Sequence, residues 1–272
     1  MELPKLLIAA LTITLLASSS PVVQHSVPAN APGTGVARNP VFQDGEDLVY
    51  EVSWTIFKLG TIHLTSHAGY SAEAQIDSYE NVPFVDLHAV HCTEMDSAFY
   101  SRGCRSAEKK EDEWWGLKYI YDTAGNRLMI EETYQKELRL TPYRRDMRDT
   151  IRMETMDFLD GLSIGYFPRS LIHSEQTVTV PTVLYGKLGK TTFRLTNDKT
   201  TESIDADDRP IRVVEVDGTT TVRGIFGMNG DFKGWFSDDS AAVPIKGKLK
   251  VLLGNVTIEL IQWKRAGWNP PH

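Results

Sequence analysis

The chain has 272 residues, of which 41% are hydrophobic and 24% charged, and its formal net charge at pH 7 is −7. An acidic chain without a basic stripe lacks the surface that neutralises phosphates, so the composition argues against a nucleic-acid partner. The length is ample for one sizeable core, and all-β chains of this size commonly form a single domain.

The N-terminus has the organisation of an export signal. A short head that carries Lys5 precedes an apolar stretch at 6–17, and three serines then supply the small residues that a signal peptidase needs. As a helix this stretch is too short to cross the roughly 30 Å core of a bilayer. We therefore predict a cleaved signal peptide over 1–20, a periplasmic or otherwise extracytoplasmic location, and no integral membrane span after cleavage. An uncleaved anchor is the alternative.

Proline and glycine with almost no charge mark the next segment, residues 21–41, and this composition is typical of a flexible tether. We expect a single β-rich domain over 42–265. A C-terminal tail then covers 266–272, and its last four residues are expected to fray.

Strands are predicted from a period of two residues that starts at Asp47. Leu48, Tyr50, Val52 and Trp54 share one face, as in a half-buried strand, and 57–60 is read as the turn of a hairpin. Similar runs occupy 61–67, 85–92, 98–102, 106–111, 117–121, 127–134, 177–184, 190–196, 211–216, 231–236 and 248–262. Their succession predicts a mostly antiparallel meander.

One segment breaks this period. Between Met156 and Leu171 the residues Phe158, Leu162 and Tyr166 recur at helical intervals, and Pro168 follows. We predict a short helix that crosses one mouth of the sheet. The expected fold class is mainly β, with a curved antiparallel sheet or half-open β-barrel and one short helix packed at or in its mouth.

The only two cysteines, Cys92 and Cys104, stand close together in the sequence. In an oxidising compartment such a pair favours a disulfide, which we predict here. A metal site with His88 and His91 is the competing interpretation. Strand alternation disfavours it, because the two histidines then point to opposite faces.

No catalytic motif is present. The aspartates at 205–208 and 238–239 suit either a cation or an acid–base pair, but their neighbours are turn residues, where aspartates are common. The arginine-rich run at 143–152 suits either an anionic group or a solvated connection, and its interleaved charges favour the connection. We assign no catalytic residue, no metal and no cofactor.

Aromatic residues are the more suggestive feature. Core packing is the default interpretation, and a lumen that takes an acyl, isoprenoid or sugar ligand is the alternative. For that lumen we name five candidate ligand-binding residues: Tyr50, Trp54, Tyr166, Phe167 and Trp235.

Several blocks resemble a bacterial exported family known as domain of unknown function 3108. They are FQDGEDLVYEVSW at 42–54, DFLDGLS at 157–163, YFPR at 166–169, GDFKGWFSDD at 230–239, VPIK at 243–246 and GNVTIEL at 254–260. The resemblance implies an exported, mostly β protein whose curved sheet is similar to that of the Lol lipoprotein carriers. It carries over no catalytic residues.

These features lead to one function and two alternatives. The leading hypothesis is a non-catalytic envelope protein that binds or carries a lipid, a lipoprotein segment or a glycan in the cavity of its sheet. The first alternative is a structural or assembly module that acts through an envelope protein partner. The second is an envelope hydrolase that uses an aspartate pair.

Overall fold

The computed structural model describes residues 40–80, 82, 85–138, 141–222, 230–251 and 254–272. The predicted signal peptide at 1–20 and all of the predicted tether except Pro40 and Val41 lie outside the described residues. Strands dominate the described chain, as the period of two residues predicts.

Fourteen strands and one short helical segment make up the regular structure of the described residues. The strands are β1 (Asp47–Trp54), β2 (Phe57–His67), β3 (Ser71–Ser78), β4 (His88–Met95), β5 (Ser101–Lys110), β6 (Glu113–Asp122), β7 (Arg127–Gln135), β8 (Arg144–Arg152), β9 (Gln176–Leu184), β10 (Lys187–Ile204), β11 (Asp207–Thr220), β12 (Gly230–Ser237), β13 (Pro244–Lys250) and β14 (Asn255–Lys264). The helical segment consists of α1 (Ser163–Tyr166) and a 3₁₀ helix (Phe167–Ser170).

All fourteen strands belong to one antiparallel sheet that does not close on itself. Its order runs from β8 through β7 down to β1 and then from β14 down to β9, so that β8 and β9 are the edges. The mainly β fold with an unclosed antiparallel sheet and one short helix is therefore confirmed.

Phe158 and Leu159, which precede the helical segment, link the edge strand β9 to strand β5. The Leu159 N–H donates to the carbonyl of Pro181 at 2.9 Å, and the Leu159 carbonyl accepts from the Val183 N–H at 2.8 Å. The adjacent carbonyl of Phe158 accepts from the Ser101 N–H, at the start of β5, at 2.9 Å. This extended segment therefore satisfies two backbone groups, of Pro181 and Val183, on the edge of β9 that no neighbouring strand covers.

The predicted helix over 156–171 is too long. Leu159 is extended, and the backbone turns only where the Asp160 carboxylate accepts the N–H groups of Leu162 and Ser163, each at 2.9 Å. Pro168, which has no N–H, then lies in the 3₁₀ helix. The helical spacing of apolar residues correctly indicates where the helical segment lies but overestimates its length.

The strands have two unlike ends. At the end that we call the loop end lie the turns that join β1 to β2, β3 to β4, β5 to β6, β7 to β8, β9 to β10, β11 to β12 and β13 to β14. At the opposite end, the capped end, the chain enters β1 through Glu46 and leaves β14 at Arg265, and the helical segment packs there. The C-terminal tail also lies there.

The tail is packed rather than frayed. The Arg212 N–H donates to the carbonyl of Pro271 at 2.7 Å, and the indole of Trp268 donates to Asp239 at 2.8 Å. His272 lies 3.3 Å from Asp207. The expectation of a frayed end is therefore wrong, because the last residues complete backbone and side-chain hydrogen bonds of β11 and of the turn after β12.

Apolar side chains fill both faces of the sheet around β11. Val213 and Val214 are both fully buried although they are sequence neighbours on opposite faces. The far half of the β10–β11 hairpin folds back over β13 and β14, where the Asp205 N–H donates to Glu259 at 2.9 Å. The hairpin thus covers a second core cluster, distinct from the cluster that holds the helical segment.

Candidate functional site

The five candidate ligand-binding residues do not share one cluster. Tyr166 and Phe167 belong to the core cluster under the helical segment, whereas Tyr50 and Trp235 belong to the cluster beneath the β10–β11 hairpin. Trp54 packs against a third cluster near the loop end. The structure therefore brings four of them together as two pairs and leaves Trp54 apart.

Hydrogen bonds hold three of these aromatic side chains in the core. The Tyr166 hydroxyl lies 2.7 Å from the Ser66 hydroxyl, the Tyr50 hydroxyl donates to the carbonyl of Pro244 at 3.1 Å, and the Trp235 indole donates to Glu215 at 3.0 Å. Because these polar tips are satisfied, a ligand that entered the core would have to displace them.

No roomy lumen accompanies them among the best-defined depressions of the described surface. The first, between β1, β2 and the loop after β3, has a cavity volume of about 10 Å³, which is close to the minimum that holds one water molecule. The second is an open depression beside the turn between β6 and β7. In this conformation the aromatic side chains act as core residues.

A buried ionic cluster ties the capped end together, and we call it the clasp. The Arg169 guanidinium donates two hydrogen bonds to the Glu46 carboxylate, at 2.8 and 3.0 Å, and a third to the carbonyl of Ala241 at 3.1 Å. Arg265 also donates to Glu46, and it donates to the carbonyl of Pro40 at 2.5 Å. The clasp therefore joins the chain entry, the helical segment and the last strand.

The charges of the clasp are stable only as a group. Burial opposes ionisation of Glu46, but Arg169 and Arg265 more than offset this, and the pKa of Glu46 lies below its ordinary value. Burial likewise disfavours the charged form of Arg169, while Glu46 raises its pKa. Two cations share one carboxylate, so removal of Glu46 would leave both arginines buried without a counter-charge.

Asp160 forms a second buried polar centre. Its carboxylate accepts from the hydroxyls of Thr93 and Ser101, each at 2.5 Å, in addition to the two N–H groups that start α1. The Asp160 N–H in turn donates to the Ser163 hydroxyl at 2.7 Å. A carboxylate with four donors and no adjacent nucleophile–base pair is a structural hub, because its lone pairs are already used.

His91 lies beside this hub, on β4. Burial lowers the pKa of His91 to about 4, although the Asp160 carboxylate opposes this shift. The ring meets Tyr185 edge to face, with 6.0 Å between the ring centroids. His91 is therefore a neutral core histidine at pH 7.

The predicted disulfide between Cys92 and Cys104 is wrong, because both thiols are free. Cys104 is directly opposite Thr93 in the ladder between β4 and β5, whereas Cys92 is opposite Arg105. Directly opposed residues share a face, so the two thiols point to opposite faces of the sheet. Burial raises the pKa of both thiols.

The aspartate clusters act in turns. Asp239 accepts from the Ser237 hydroxyl at 2.9 Å and from the Ala241 N–H at 2.9 Å, and Asp238 pairs with Lys199 at 3.0 Å. Asp207 accepts from the Arg209 N–H at 3.0 Å. These contacts provide turn geometry and surface pairing, and the two histidines beside them, His173 at 3.8 Å from Asp238 and His272 at 3.3 Å from Asp207, also lie at the surface.

Exposed apolar side chains gather at the loop end. Six large hydrophobic residues of the described chain are exposed, and five of them lie at this end. We call these five the apolar rim: Ile56, Phe57, Tyr79, Tyr143 and Leu188. The sixth, Met147, lies within the edge strand β8.

Ile56 is the most exposed member of the rim, at 87%. It follows Thr55, a β-branched residue with a φ of 54°, and such residues pay a conformational cost in the left-handed region. The turn is Thr55–Ile56 rather than the predicted 57–60, and Phe57 already opens β2. The sequence patterns place Phe57 in a turn, Tyr143 in the arginine-rich run, and Ile56, Tyr79 and Leu188 in no strand. They miss the rim because a local pattern does not show which turns lie at the same end of the sheet.

The described residues contain no group of three or more His, Cys, Asp or Glu side chains that could hold a metal ion. Among these same residues, no helix has the length and apolar character needed to cross a membrane.

Comparison with known proteins returns only distant structural similarity. No protein-family model matches the chain, and no curated protein matches it. A β-barrel-like protein of domain of unknown function 1849 from Brucella abortus is 10% identical in sequence, with a TM-score of 0.41. The alignment covers 82% of this chain and 98% of that protein. A protein with a YmcC-like fold from Bacteroides fragilis is 9% identical, covers 82% and 97%, and has a TM-score of 0.32.

Neither similarity assigns a family or a function to this chain. The resemblance to the family of domain of unknown function 3108 therefore stays a prediction.

Proposed function

We propose that the protein is exported to the cell envelope and binds the apolar part of an amphiphile, such as a lipid or a lipidated protein segment, at the loop end of its sheet. The observation that carries the proposal is the apolar rim. An isolated exposed apolar residue is ordinary, but five of six at one end of a sheet favour an interaction surface. The export pattern at 1–20 supports the compartment, in which apolar cargo needs shelter from water.

Because side chains already fill the core, the proposed binding starts at the surface. An amphiphile that binds at the rim needs no preformed lumen, and Trp54, at the end of β1, is the candidate lining residue placed beside it. Binding deeper, against Tyr50, Tyr166, Phe167 and Trp235, would require the helical segment and the β10–β11 hairpin to move. We therefore place the first contact at the rim.

A second function, an assembly module of the envelope, is favoured by one observation. A packed interior together with exposed apolar side chains also fits a partner protein. The edge strand β8 is a poorer partner site, because its nine residues include six charged residues and its pairing with β7 contains a bulge.

Native mass spectrometry tests the proposal directly. The protein is exported with its own N-terminus into a bacterial periplasm, purified without detergent, and supplied with lysophosphatidylcholine. We expect a stoichiometric adduct that disappears on denaturation, and an organic extract of the same sample identifies any lipid acquired in the cell.

A rim variant and a matched control complete this test. Ile56→Ser combined with Phe57→Ser and Leu188→Ser should weaken the adduct, whereas Met147→Ser, which removes an equally exposed side chain away from the rim, should not. Clean apo masses in every sample would contradict amphiphile binding and favour the assembly module. An equal adduct in the rim variant would move the site away from the loop end.

A further inference from the structure

We propose that the apolar rim docks on the surface of an anionic lipid bilayer, with the half of the loop end between β2 and β9 facing the lipid. This inference rests on the proposed function and deepens it, because it names a lipid surface, rather than a single lipid molecule, as the partner. It follows from the spacing of the rim and from the charges that surround it.

The rim extends beyond the reach of one acyl chain. The β1–β2 turn carries Ile56 and Phe57, and Leu188 follows the β9–β10 turn. Five strand-to-strand steps separate β1 from β10 in the sheet order, which corresponds to about 24 Å along the sheet. One acyl chain bound at either turn leaves the other turn uncovered, whereas a bilayer surface meets both turns at once.

Lysines surround the apolar side chains in this half. Lys58 follows Phe57, and Lys187 and Lys190 flank Leu188. Lys248 and Lys250 end β13, whose turn to β14 lies next to the β1–β2 turn in the sheet order. A chain with a net charge of −7 thus presents basic residues beside these apolar tips, as an anionic lipid surface requires.

Most of these lysines are not engaged in ion pairs. Within the described residues, Lys187, Lys190 and Lys250 form no salt bridge, and Lys248 lies over the ring of Trp235 at 5.2 Å. Lys58 pairs with Glu51 at 2.9 Å. Glu51 and Asp205 are the opposing charges that act on Lys58. Long lysine side chains can keep their charge at the headgroups while the apolar tips enter the interface.

The two tyrosines of the rim lie outside the lipid-facing half, after β3 and before β8, and they also have interfacial character. The hydroxyl of Tyr79 donates to Glu51 at 3.2 Å, and that of Tyr143 donates to Glu113 at 2.8 Å. Each ring is more than a third exposed while its hydroxyl is satisfied by the protein. Amphipathic rings of this kind are enriched where protein meets the membrane–water interface.

Vesicle co-sedimentation tests the inference with the exported protein, whose N-terminus is identified by intact mass. Vesicles of pure phosphatidylcholine are compared with vesicles that contain 30% phosphatidylglycerol. We expect binding to the anionic vesicles that falls at least fivefold on addition of 0.5 M salt. The rim variant Ile56→Ser with Phe57→Ser and Leu188→Ser should bind at least tenfold more weakly.

Two further variants separate docking from misfolding and from the N-terminus. Lys58→Gln with Lys187→Gln and Lys250→Gln should lose the preference for anionic vesicles by at least fivefold, while Met147→Ser should bind as the wild type does. Unchanged thermal melting shows that each variant is folded. All variants share one N-terminus, so any binding through residues 1–39 would appear equally in the rim variant and would overturn the inference.

Failure of this inference differs from failure of the proposed function. A wild-type protein that forms the lysophosphatidylcholine adduct but does not bind anionic vesicles would overturn docking and leave amphiphile binding intact. A protein that shows neither would overturn both.

Discussion

The two ends of this sheet use their side chains in opposite ways. The capped end buries charge: Glu46, Arg169 and Arg265 are removed from water and paired with one another, with only the Arg169 Nε of this cluster left without a hydrogen-bond partner. The loop end exposes apolar groups, with Ile56 and Phe57 in water at a turn. Burying a charge and exposing a large apolar side chain each cost free energy unless a favourable contact offsets the cost. At the capped end the ion pairs of the clasp offset the cost of burying charge. At the loop end the described residues supply no contact that offsets the exposure of the apolar side chains, and we therefore place the ligand there.

The largest expected effect breaks the clasp. Glu46→Gln leaves two buried arginines without a counter-charge and should reduce the free energy of unfolding by about 3 to 5 kcal/mol. Glu51→Gln, which removes the partner of the exposed Lys58 at the loop end, should cost at most about 1 kcal/mol. Denaturant titration of both variants measures the two values, and similar losses would contradict the difference between the ends.

A smaller effect depends on pH. The pKa of His91 is about 4 in the fold and 6.5 in its ordinary state, so protonation favours the unfolded chain. The stability that neutral His91 permits is fully present above about pH 6.5, and about 3 kcal/mol of it is lost as the pH falls to 4.

His91→Gln removes this titration. Asp160 and Tyr185 face the ring and are retained in the variant, as is the acid-sensitive Glu46. Subtracting the stability of the variant from that of the wild type at each pH therefore isolates His91. A difference that stays flat between pH 7 and pH 4 would show that His91 is not buried as described.

The cysteines provide a weaker test. Cys104 is half-buried against Leu117, Tyr119 and Phe158, and burial holds the pKa of its thiol well above the ordinary value, so it should resist alkylation in the native state. Cys104→Ala should cost about 1 kcal/mol. Cys92, on the other face, should react first. The intact mass of the exported protein should correspond to two free thiols, and a mass lower by two hydrogen atoms would show the disulfide and contradict the placement of the thiols on opposite faces.

The smallest effect on stability belongs to the rim. Phe57→Ser should change the free energy of unfolding by no more than about 0.5 kcal/mol, since the side chain is already exposed. Phe158→Ala, in the core beside β6 and β7, should cost about 3 to 5 kcal/mol. Thermal and denaturant unfolding of both variants compares them, and a large loss at Phe57 would mean that the rim is part of the core.

Sequence patterns predict this fold well where one face is apolar. The alternation of Leu48, Tyr50 and Val52 correctly indicates β1, because these three side chains are buried while the intervening ones are less so. The sequence does not predict β8, because this strand is exposed along nearly its whole length and therefore shows no alternation of apolar and polar residues. Nor does it predict β3, because the buried face of this strand is formed largely by Ala72 and Ala74.

The functional features depend on contacts that local patterns do not contain. Glu46 and Arg169 are 123 residues apart in the chain, so their pairing follows from the sheet order and not from any motif. The rim is likewise visible only once the turns are known to lie at one end. Trp235 and Tyr166 have the composition of a binding site, but packing makes them core residues, which sequence alone cannot distinguish.

An environment-sensitive fluorophore at the loop end tests the central claim most directly. In a Cys92→Ala, Cys104→Ala background, the label is attached at Ile56→Cys or, for comparison, at Ala68→Cys in the exposed β2–β3 turn of the capped end. Addition of vesicles with 30% phosphatidylglycerol should shift the emission at residue 56 to shorter wavelength and leave residue 68 unchanged. Equal shifts, or a shift at residue 68 alone, would contradict the assignment of the loop end as the binding surface.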